Sequence, residues 1–295
     1  MKITIGSRGS KLAVAQSEEV KTALLQLDPT LQIDIKVIST KGDLILDKPL
    51  ASIGDKGLFT QEIEAGLIAG TIDLAVHSMK DMPTNIPDEL MFCGTIKASD
   101  ERDCLVFNHG YQTLADLPLH AKVATGSLRR KYQLLKLRPD LNISDIRGNV
   151  LTRLEKLKKE NFDAIVLASA GLKRIGLEDR IGYYFDIKEM IPACAQGILA
   201  LEVKKDSKLI PLIEQIVDEN ATKRMKLERL FIETIECGCH SPVGAHVEFT
   251  ENGIMFDAIF GNETGTHLET YHGMIEDHYE MKIKEIALAM KEKVL

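Results

Sequence analysis

The segment His77-Ser78-Met79-Lys80-Asp81-Met82-Pro83 sets a cation beside an anion directly after the apolar run 72–76. Such a short run is typical of a buried strand, and open α/β sheets bind ligands beyond the carboxyl ends of their strands. Lys80 and Asp81 are therefore candidates for chemistry. The alternative is a solvated loop pair, and an exposed ion pair contributes only about 0–1 kcal/mol.

Arginine-bearing loops follow other predicted strands, and each of them opens a predicted helix. These loops are Ser7-Arg8-Gly9-Ser10, Thr125-Gly126-Ser127-Leu128-Arg129-Arg130, and Arg147-Gly148-Asn149 with Arg153. Backbone N–H groups at a helix start and guanidinium forks both bind carboxylate or phosphate. A single arginine could merely solvate a helix face, but the recurrence in a net acidic chain predicts a ligand with several carboxylates or phosphates.

The segment Glu236-Cys237-Gly238-Cys239-His240 is a third place where chemistry is possible. Cys-x-Cys-His suggests metal, but structural zinc sites use two or more separated ligand pairs, and no second pair is evident in the sequence. A buried inert thiol is another interpretation. The third is an accessible thiol in a glycine-containing turn that carries a covalent group.

Length and composition limit the kind of protein that could use these residues. The 295 residues suffice for two or three domains, and a charge of -7 argues against a general nucleic-acid binder. The first residues become polar too quickly for a signal peptide, and no apolar run approaches the roughly 20 residues that cross a bilayer. Five cysteines without framework spacing favour reduced thiols. We therefore expect a cytoplasmic protein.

Short strands alternate with helices in most of the chain, which predicts an α/β fold with parallel strands and crossover helices. The first unit has predicted strands at 3–6, 33–37 and 72–76 and helices at 11–26 and 59–68. The second has strands at 122–124, 142–146 and 164–168 and a helix at 150–160. The strand 198–203 could return to complete the first sheet. The tail has a helix at 221–235, strands at 246–250, 254–260 and 267–274 with a hairpin at Asn252-Gly253, and a closing helix from about 277.

Motifs along nearly the whole chain resemble those of the porphobilinogen deaminase (hydroxymethylbilane synthase) family, and in this order and spacing they are highly specific. They are Ser7-Arg8-Gly9-Ser10-Lys11-Leu12-Ala13, Thr40-Lys41-Gly42-Asp43, Lys56-Gly57-Leu58-Phe59, the segment 77–83, Ser127-Leu128-Arg129-Arg130, Arg147-Gly148-Asn149-Val150, Ala170-Gly171-Leu172-Lys173-Arg174, Gln196-Gly197, and Gly238-Cys239 with Pro242.

The resemblance implies a transferase of haem and porphyrin biosynthesis. It would couple four porphobilinogen molecules head to tail into the linear tetrapyrrole hydroxymethylbilane, release ammonia, and use a dipyrromethane primer joined by a thioether to Cys239. Porphobilinogen carries acetate and propionate side chains, and the arginine loops would bind their carboxylates. The residues expected to bind these carboxylates are Arg8, Ser10, Lys56, Lys80, Thr125, Ser127, Arg129, Arg130, Arg147, Arg153 and Arg174, and those expected to support the site are Asp43, Phe59 and Gln196.

Asp81 is the catalytic residue that the resemblance implies. Loss of ammonia leaves a cationic methylene-pyrrolenine, and a carboxylate near the pyrrole N–H can stabilise that charge and relay protons. The charge of Lys80 would help to keep Asp81 ionised.

The implied fold has two periplasmic-binding-protein-like α/β domains around a cleft, plus a small C-terminal α+β domain with a three-stranded antiparallel sheet. Domain 1, with the Asp81 loop, would span 1–97 and 197–216. Domain 2, with the arginine loops, would span 98–196, and domain 3, with the cysteine loop, 217–295. We expect a monomer that binds a small-molecule substrate without nucleic acid, membrane or metal.

Three positions depart from the family pattern. Gly126 stands where a second Ser is usual, and Ala195 stands where a Gly is usual. Cys237 replaces an expected Gly and puts a rival thiol two residues from Cys239. The Gly-Cys-x-x-Pro context favours Cys239 for attachment.

Two other classes of function would use part of these residues. A non-catalytic anion-binding protein of the same two-domain architecture would explain the arginines, but it would need neither Asp81 beside Lys80 nor a cysteine loop. A thiol-based redox or metal sensor would use Cys237, Cys239 and His240 and leave the arginine loops idle.

Overall fold

The computed structural model describes residues 1–44, 59–236 and 241–295, without the side chains of 43 and 44. The described chain forms two compact units, one from 1–99 with 197–223 and the other from 100–196 with 224–295. The chain therefore passes between the units at 99–100, 196–197 and 223–224. The expected boundary between a second and a third domain lies near the last of these passages and stays a prediction.

The first unit contains a five-stranded sheet with helices on both faces. Its strands are β1 (Lys2–Ser7), β2 (Gln32–Val37), β3 (Leu74–Ser78), β4 (Leu90–Phe92) and β10 (Leu199–Lys204), in the order β2-β1-β3-β10-β4. Its helices are α1 (Lys11–Leu27), α2 (Lys41–Leu44), α3 (Gln61–Ile68) and α7 (Ile210–Ile213). Apolar residues of α1 pack on one face of β3, and those of α3 pack on the other. Coverage of both faces explains why β3 begins with three consecutive apolar residues, Leu74, Ala75 and Val76.

The second unit repeats this strand arrangement. Its strands are β5 (Asp103–Phe107), β6 (Lys122–Ala124), β7 (Asn142–Ser144), β8 (Ala164–Ala168) and β9 (Tyr183–Tyr184), in the order β7-β6-β8-β5-β9. Its helices around this sheet are α4 (Leu128–Leu137), α5 (Val150–Lys159) and α6 (Ser169–Arg174). In each sheet three neighbouring strands are parallel, and the fourth, β10 or β5, is antiparallel.

The second unit also contains the C-terminal sheet. This antiparallel sheet has the order β11 (Val243–Thr250), β12 (Gly253–Gly261) and β13 (Leu268–Ile275). Helices α8 (Glu219–Ile235) and α9 (Tyr279–Val294) pack on it, with Phe231, Phe256 and Ile283 in the shared core. The predicted hairpin is confirmed, and its two-residue turn is Glu251-Asn252 because Thr250 pairs with Gly253. Gly253 has φ 135°, and a Cβ there would collide with the Ile275 carbonyl oxygen.

The sequence predicted the α/β class and the return of strand 198–203 to the first sheet, and both are confirmed. The strands predicted to alternate with helices are parallel in both sheets, as expected. Strands β10 and β5, for which the sequence predicted no direction, run antiparallel to β3 and β8. Strand β3 also starts two residues later than predicted, so His77 and Ser78 belong to it. Lys80 and Asp81 then lie in a 3-10 helix, Met79–Asp81, directly beyond the strand. Within the described residues, no helix combines the length and the apolar character needed to cross a membrane.

The backbone before the second passage between the units is in the left-handed region. Ala195 has φ 59°, and its N–H donates to Glu228 Oε2 at 2.6 Å. A residue with a Cβ pays about 1–2 kcal/mol for this conformation, which glycine adopts freely. The family preference for Gly at this position therefore has a backbone reason.

We expect Ala195→Gly to leave the free energy of unfolding unchanged or to raise it. Relief of the left-handed strain, about 1–2 kcal/mol, offsets the roughly 0.4–1 kcal/mol of chain entropy that a glycine adds to the unfolded state. Ala193→Gly is the matched control, since Ala193 is not among the residues with positive φ, and it should lose about 0.4–1 kcal/mol. Urea unfolding at 25 °C measures both, and equal losses would contradict the strain.

Candidate active site

The site residues of the first unit lie at the carboxyl edge of its sheet. Strands β1 and β3 are parallel neighbours, so Arg8 after β1 and the Met79–Asp81 turn after β3 follow the same edge. Ser10 caps α1 there, and its Oγ accepts from the Ala13 N–H at 3.2 Å. Gln16 of α1 donates to Ser78 Oγ at 2.8 Å, which attaches this helix to the end of β3.

Within this edge Asp81 is exposed and Lys80 is half-buried. The exposed carboxylate is available to a ligand, and backbone hydrogen bonds fix the turn that carries it. The Met79 N–H donates to the Ile198 carbonyl at 3.0 Å, and the Met82 N–H donates to the Met79 carbonyl at 3.1 Å. Asp81 therefore projects from a backbone that is fixed on both sides.

Phe59 connects two of the motifs found in the sequence. The Arg8 guanidinium carbon lies 4.1 Å from the centroid of the Phe59 ring, a cation–π contact. The same ring lies against the backbone of Gly42, where a Cβ would collide with it. Phe59 is thus placed to orient Arg8, which fits its expected supporting role.

A buried acidic group lies beneath this edge. His77 and Glu202 are both buried, and His77 Nε2 lies 3.2 Å from Glu202 Oε2 across the β3–β10 pair. Burial raises the pKa of the neighbouring Glu64 carboxyl, with a smaller contribution from Glu202. Glu64 and Glu202 each keep one buried carboxylate oxygen without a hydrogen-bond partner among the described residues.

The site residues of the second unit lie on two adjacent loops. Strands β6 and β7 are parallel neighbours, so the β6–α4 and β7–α5 loops leave the same sheet edge. Thr125 Oγ1 accepts from the Ser127 N–H at 3.2 Å, and Ser127 is the N-cap of α4. A Cβ at Gly126 would lie 3.0 Å from the Ile146 carbonyl oxygen, so glycine permits this close approach of the two loops.

Arg129 and Arg130 share one buried carboxylate, that of Asp103. Arg129 Nη1 donates to Asp103 Oδ2 at 2.7 Å, and Arg130 Nε and Nη2 donate to Oδ1 at 3.1 and 2.7 Å. The two arginines are only 4% and 6% exposed, and Asp103 is fully buried. Arg129 also donates to the Ile191 carbonyl at 2.7 Å, and Arg130 to the Val166 carbonyl at 3.1 Å. The pair is therefore oriented by the protein itself.

The charge of Asp103 follows from this arrangement. Burial alone would raise its pKa, but the guanidinium groups of Arg129 and Arg130 hold the pKa of this carboxyl well below its usual range. One anion between two cations leaves a net positive charge in a desolvated place. Such a place attracts a further carboxylate.

The other predicted arginines lie in the same unit. Arg147 is half-buried, and its Nη1 is buried without a hydrogen-bond partner among the described residues. Arg153, in the first turn of α5, donates from Nε to the Gly148 carbonyl at 2.8 Å, which holds it against the loop that carries Arg147. Arg174 is the last residue of α6 and is half-buried.

Three predicted residues cannot be placed. Lys56, Cys239 and the side chain of Asp43 lie outside the described residues. The structure thus brings Arg8, Ser10, Phe59, Lys80 and Asp81 together in the first unit. It brings Thr125, Ser127, Arg129, Arg130, Arg147 and Arg153 together in the second.

Sequence reasoning missed Asp103 and Gly244. Asp103 precedes the apolar run 104–107, and an acidic residue at the start of a strand is a weak signal on its own. A Cβ at Gly244 would lie 2.8 Å from Arg129 Cδ and would collide with the Pro192 carbonyl oxygen. The C-terminal sheet therefore packs directly against an arginine of the predicted anion site.

The chain is similar to known proteins along nearly its whole length. The family model described as "Porphobilinogen deaminase, dipyromethane cofactor binding domain" matches residues 3–211, and "Porphobilinogen deaminase, C-terminal domain" matches 222–292. The porphobilinogen deaminase of Clostridium novyi (strain NT) is 45% identical, with 99% of each chain covered. That of Clostridioides difficile (strain 630) is 44% identical, covering 99% of this chain and 98% of the relative. The solved methionine binding protein MetQ is 14% identical, with a TM-score of 0.47 over 77% of this chain and 94% of that chain.

We expect Asp103→Asn to lower the free energy of unfolding by about 3–5 kcal/mol, because it leaves two buried guanidinium groups without their counter-charge. Asp140→Asn is the control, since Asp140 pairs with Arg138 at 2.8 Å near the surface, and it should cost far less.

The stabilisation by Asp103 should also depend on pH. Because the pKa of Asp103 is lowered on folding, its contribution to the free energy of unfolding is complete above about pH 4 and is lost as the pH falls further. Urea unfolding between pH 7 and pH 3 should give a shallower acid decline for Asp103→Asn, and an unchanged decline would contradict this assignment.

Proposed function

Since the chain belongs to the porphobilinogen deaminase family, we propose that Asp81 performs its chemistry and that Cys239 holds its cofactor. The reaction is the head-to-tail coupling of four porphobilinogen molecules into hydroxymethylbilane with release of ammonia, a transferase step of tetrapyrrole biosynthesis. One observation carries the proposal for Asp81. It is the exposed carboxylate on a fixed turn, at the sheet edge that also bears Arg8 and Lys80.

The side chains of the second unit fit a dipyrromethane cofactor, which bears several carboxylates. The buried and unpartnered Nη1 of Arg147 is a donor that lacks an acceptor among the described residues. Further guanidinium and hydroxyl groups lie on the β6–α4 and β7–α5 loops and in the first turns of the helices that follow them. They belong to Thr125, Ser127, Arg129, Arg130 and Arg153. We assign the carboxylates of cofactor and substrate to this set, to Arg174, and to Arg8, Ser10, Lys56 and Lys80 of the first unit. When bound, the cofactor supplies the pyrrole carbon to which the first substrate is joined.

Asp81 acts on the charge that develops in the substrate. As the carbon–nitrogen bond to the amine breaks, positive charge spreads over the pyrrole ring, and the carboxylate of Asp81 near the ring N–H stabilises it. The ring carbon that is joined would give up one proton, and the amine would take one up to leave as ammonia, so the protons balance. Asp81 can relay a proton between these sites without a net change of its own state.

Asp43, Phe59 and Gln196 support these groups. Phe59 orients Arg8 through the stacking contact. Gln196 donates to Asp103 Oδ1 at 2.9 Å and thereby steadies the carboxylate between the two arginines. We also propose a cytoplasmic monomer that acts on a small-molecule substrate and does not bind nucleic acid or membrane, in keeping with its acidic charge.

We expect Asp81→Asn to lower kcat by a factor of about 10²–10⁴, the range found for a group that stabilises charge and transfers a proton in the transition state. The fold should be unaffected because Asp81 is exposed. Asp88→Asn is the matched control, an exposed aspartate in the same β3–β4 connection. Steady-state consumption of porphobilinogen measures both variants, and a kcat for Asp81→Asn within about twofold of the control would remove Asp81 from the chemistry.

We expect the intact mass of the purified protein, under denaturing and reducing conditions, to exceed the 32.8 kDa of the bare chain by two pyrrole units. The adduct should be absent from Cys239→Ser and present in Cys237→Ser, since a thioether survives reduction and only one thiol forms it. Loss of the adduct in Cys237→Ser instead would move the attachment to that residue. A bare mass in every sample, even after incubation with porphobilinogen, would favour the non-catalytic anion-binding alternative.

A further inference from the structure

A buried polar network surrounds the places where the chain enters and leaves the second unit. We call Glu101, Gln196, Arg224, Glu228 and His246 the crossing network. Glu101 is one residue beyond the first passage between the units, Gln196 is the last residue before the second, and Arg224 is the first residue after the third. All five belong to the same compact unit, although they are far apart in the sequence.

Arg224 holds the network together. Its Nη1 donates to Glu101 Oε2 at 3.1 Å, and its Nη2 donates to the Gln196 carbonyl at 3.0 Å. Its Nε lies 3.4 Å from Glu228 Oε1, an ion pair within helix α8. A single guanidinium thus reaches the chain at all three passages, which the single ammonium of a lysine could not do with the same geometry.

The acidic partners of Arg224 are satisfied from several elements. Glu228 also accepts from the Ala195 N–H at 2.6 Å and the Val247 N–H at 3.0 Å. Glu101 Oε1 lies 3.3 Å from His246 Nε2 of β11. Burial by itself raises the pKa of Glu101, but His246 and Arg224 lower it to about 2. Burial raises the pKa of Glu228, so Glu101 is the acid of the network that its partners hold in the ionised form.

Gln196 connects this network to the arginines of the anion site. Its Nε2 donates to the Glu101 carbonyl at 2.7 Å and to Asp103 Oδ1 at 2.9 Å. Asp103 Oδ1 is the atom that also accepts from Arg130 Nε and Nη2. A continuous series of hydrogen bonds therefore runs from Arg224 through Gln196 and Asp103 to Arg129 and Arg130.

We propose that Arg224 and Gln196 are positioning residues for the carboxylate-binding pair Arg129 and Arg130. They fix the passages of the chain on the second unit and hold Asp103 in the orientation that aims both guanidinium groups. Neither residue needs to touch the substrate. This inference rests on the proposed role of Arg129 and Arg130 in carboxylate binding, and it extends the anion site by a set of residues at the passages between the units.

The test uses Gln196→Met and Arg224→Gln in the full-length protein. Gln196→Met keeps the side-chain length, removes both donors and leaves the charges of the network in place, so it is the variant expected to fold. We expect each to raise KM for porphobilinogen about tenfold, the equivalent of roughly one hydrogen bond to a charged group, with kcat changed by less than about threefold. Thermal unfolding of each variant checks that the fold is intact.

Arg229→Gln is the matched control. Arg229 lies on the same helix, its side chain is 11% exposed like that of Arg224, and it pairs with Glu233 at 3.3 Å. Its KM should stay within about twofold of wild type. The double variant Arg224→Gln/Gln196→Met should raise KM about tenfold, whereas independent residues would give about a hundredfold. Independent effects, or a wild-type KM in Gln196→Met, would overturn the proposal.

A second measurement does not depend on activity. The Nε–H signal of Arg130, assigned in ¹H–¹⁵N spectra with Arg130→Lys, should exchange with solvent about tenfold faster in Gln196→Met, since the acceptor Asp103 loses one of its donors. Unchanged exchange would overturn the proposal even if KM rose. If the wild type consumes no porphobilinogen, the proposed function fails, while this signal still decides whether Gln196 positions the pair.

Discussion

The fully buried carboxylate of Asp103 between two guanidinium groups is the interaction on which the second unit depends. Leaving either partner uncompensated in the interior would cost several kcal/mol, so the elements that carry the three charges must assemble together. Asp103 starts β5, Arg129 and Arg130 lie in the first turn of α4, and Gln196 donates a further hydrogen bond to Asp103. The ion pairs therefore fix the position of the α4 N-terminus on its sheet.

This arrangement makes the proposed carboxylate site, Arg129 with Arg130, rigid before any ligand arrives. Arg129 and Arg130 are held by main-chain carbonyls as well as by Asp103, so little side-chain entropy remains to be lost on binding. The first unit is built differently. Arg8 stacks on Phe59 in a half-buried place, and Asp81 is exposed on a short turn. The fixed cations of the second unit suit the binding of carboxylates. The accessible carboxylate of Asp81 in the first unit suits the proposed catalysis.

The repeated sheet order explains why both units carry their proposed site residues at a sheet edge. Three parallel strands end at one edge in each sheet. Strands β1 and β6 are each followed by a helix with a serine N-cap, Ser10 for α1 and Ser127 for α4, and the free N–H groups at such helix starts favour anions. The antiparallel strands β5 and β10 start soon after a passage of the chain between the units. The strand order therefore determines both where the proposed site residues lie and where the chain passes between the units.

The sequence alone determined the class of fold, most helix and strand positions, and the loops that bear the arginines, because these depend on local periodicity and on helix-start chemistry. It also indicated Asp81, since a charged pair after a buried strand is a local pattern. Only the tertiary structure decided the antiparallel placement of β5 and β10 and the two-residue shift of β3, because strand pairing depends on partners distant in the chain. The role of Asp103 could not be predicted for the same reason. A buried charge is explained by its counter-charges, and those of Asp103 lie 26 and 27 residues away on another element.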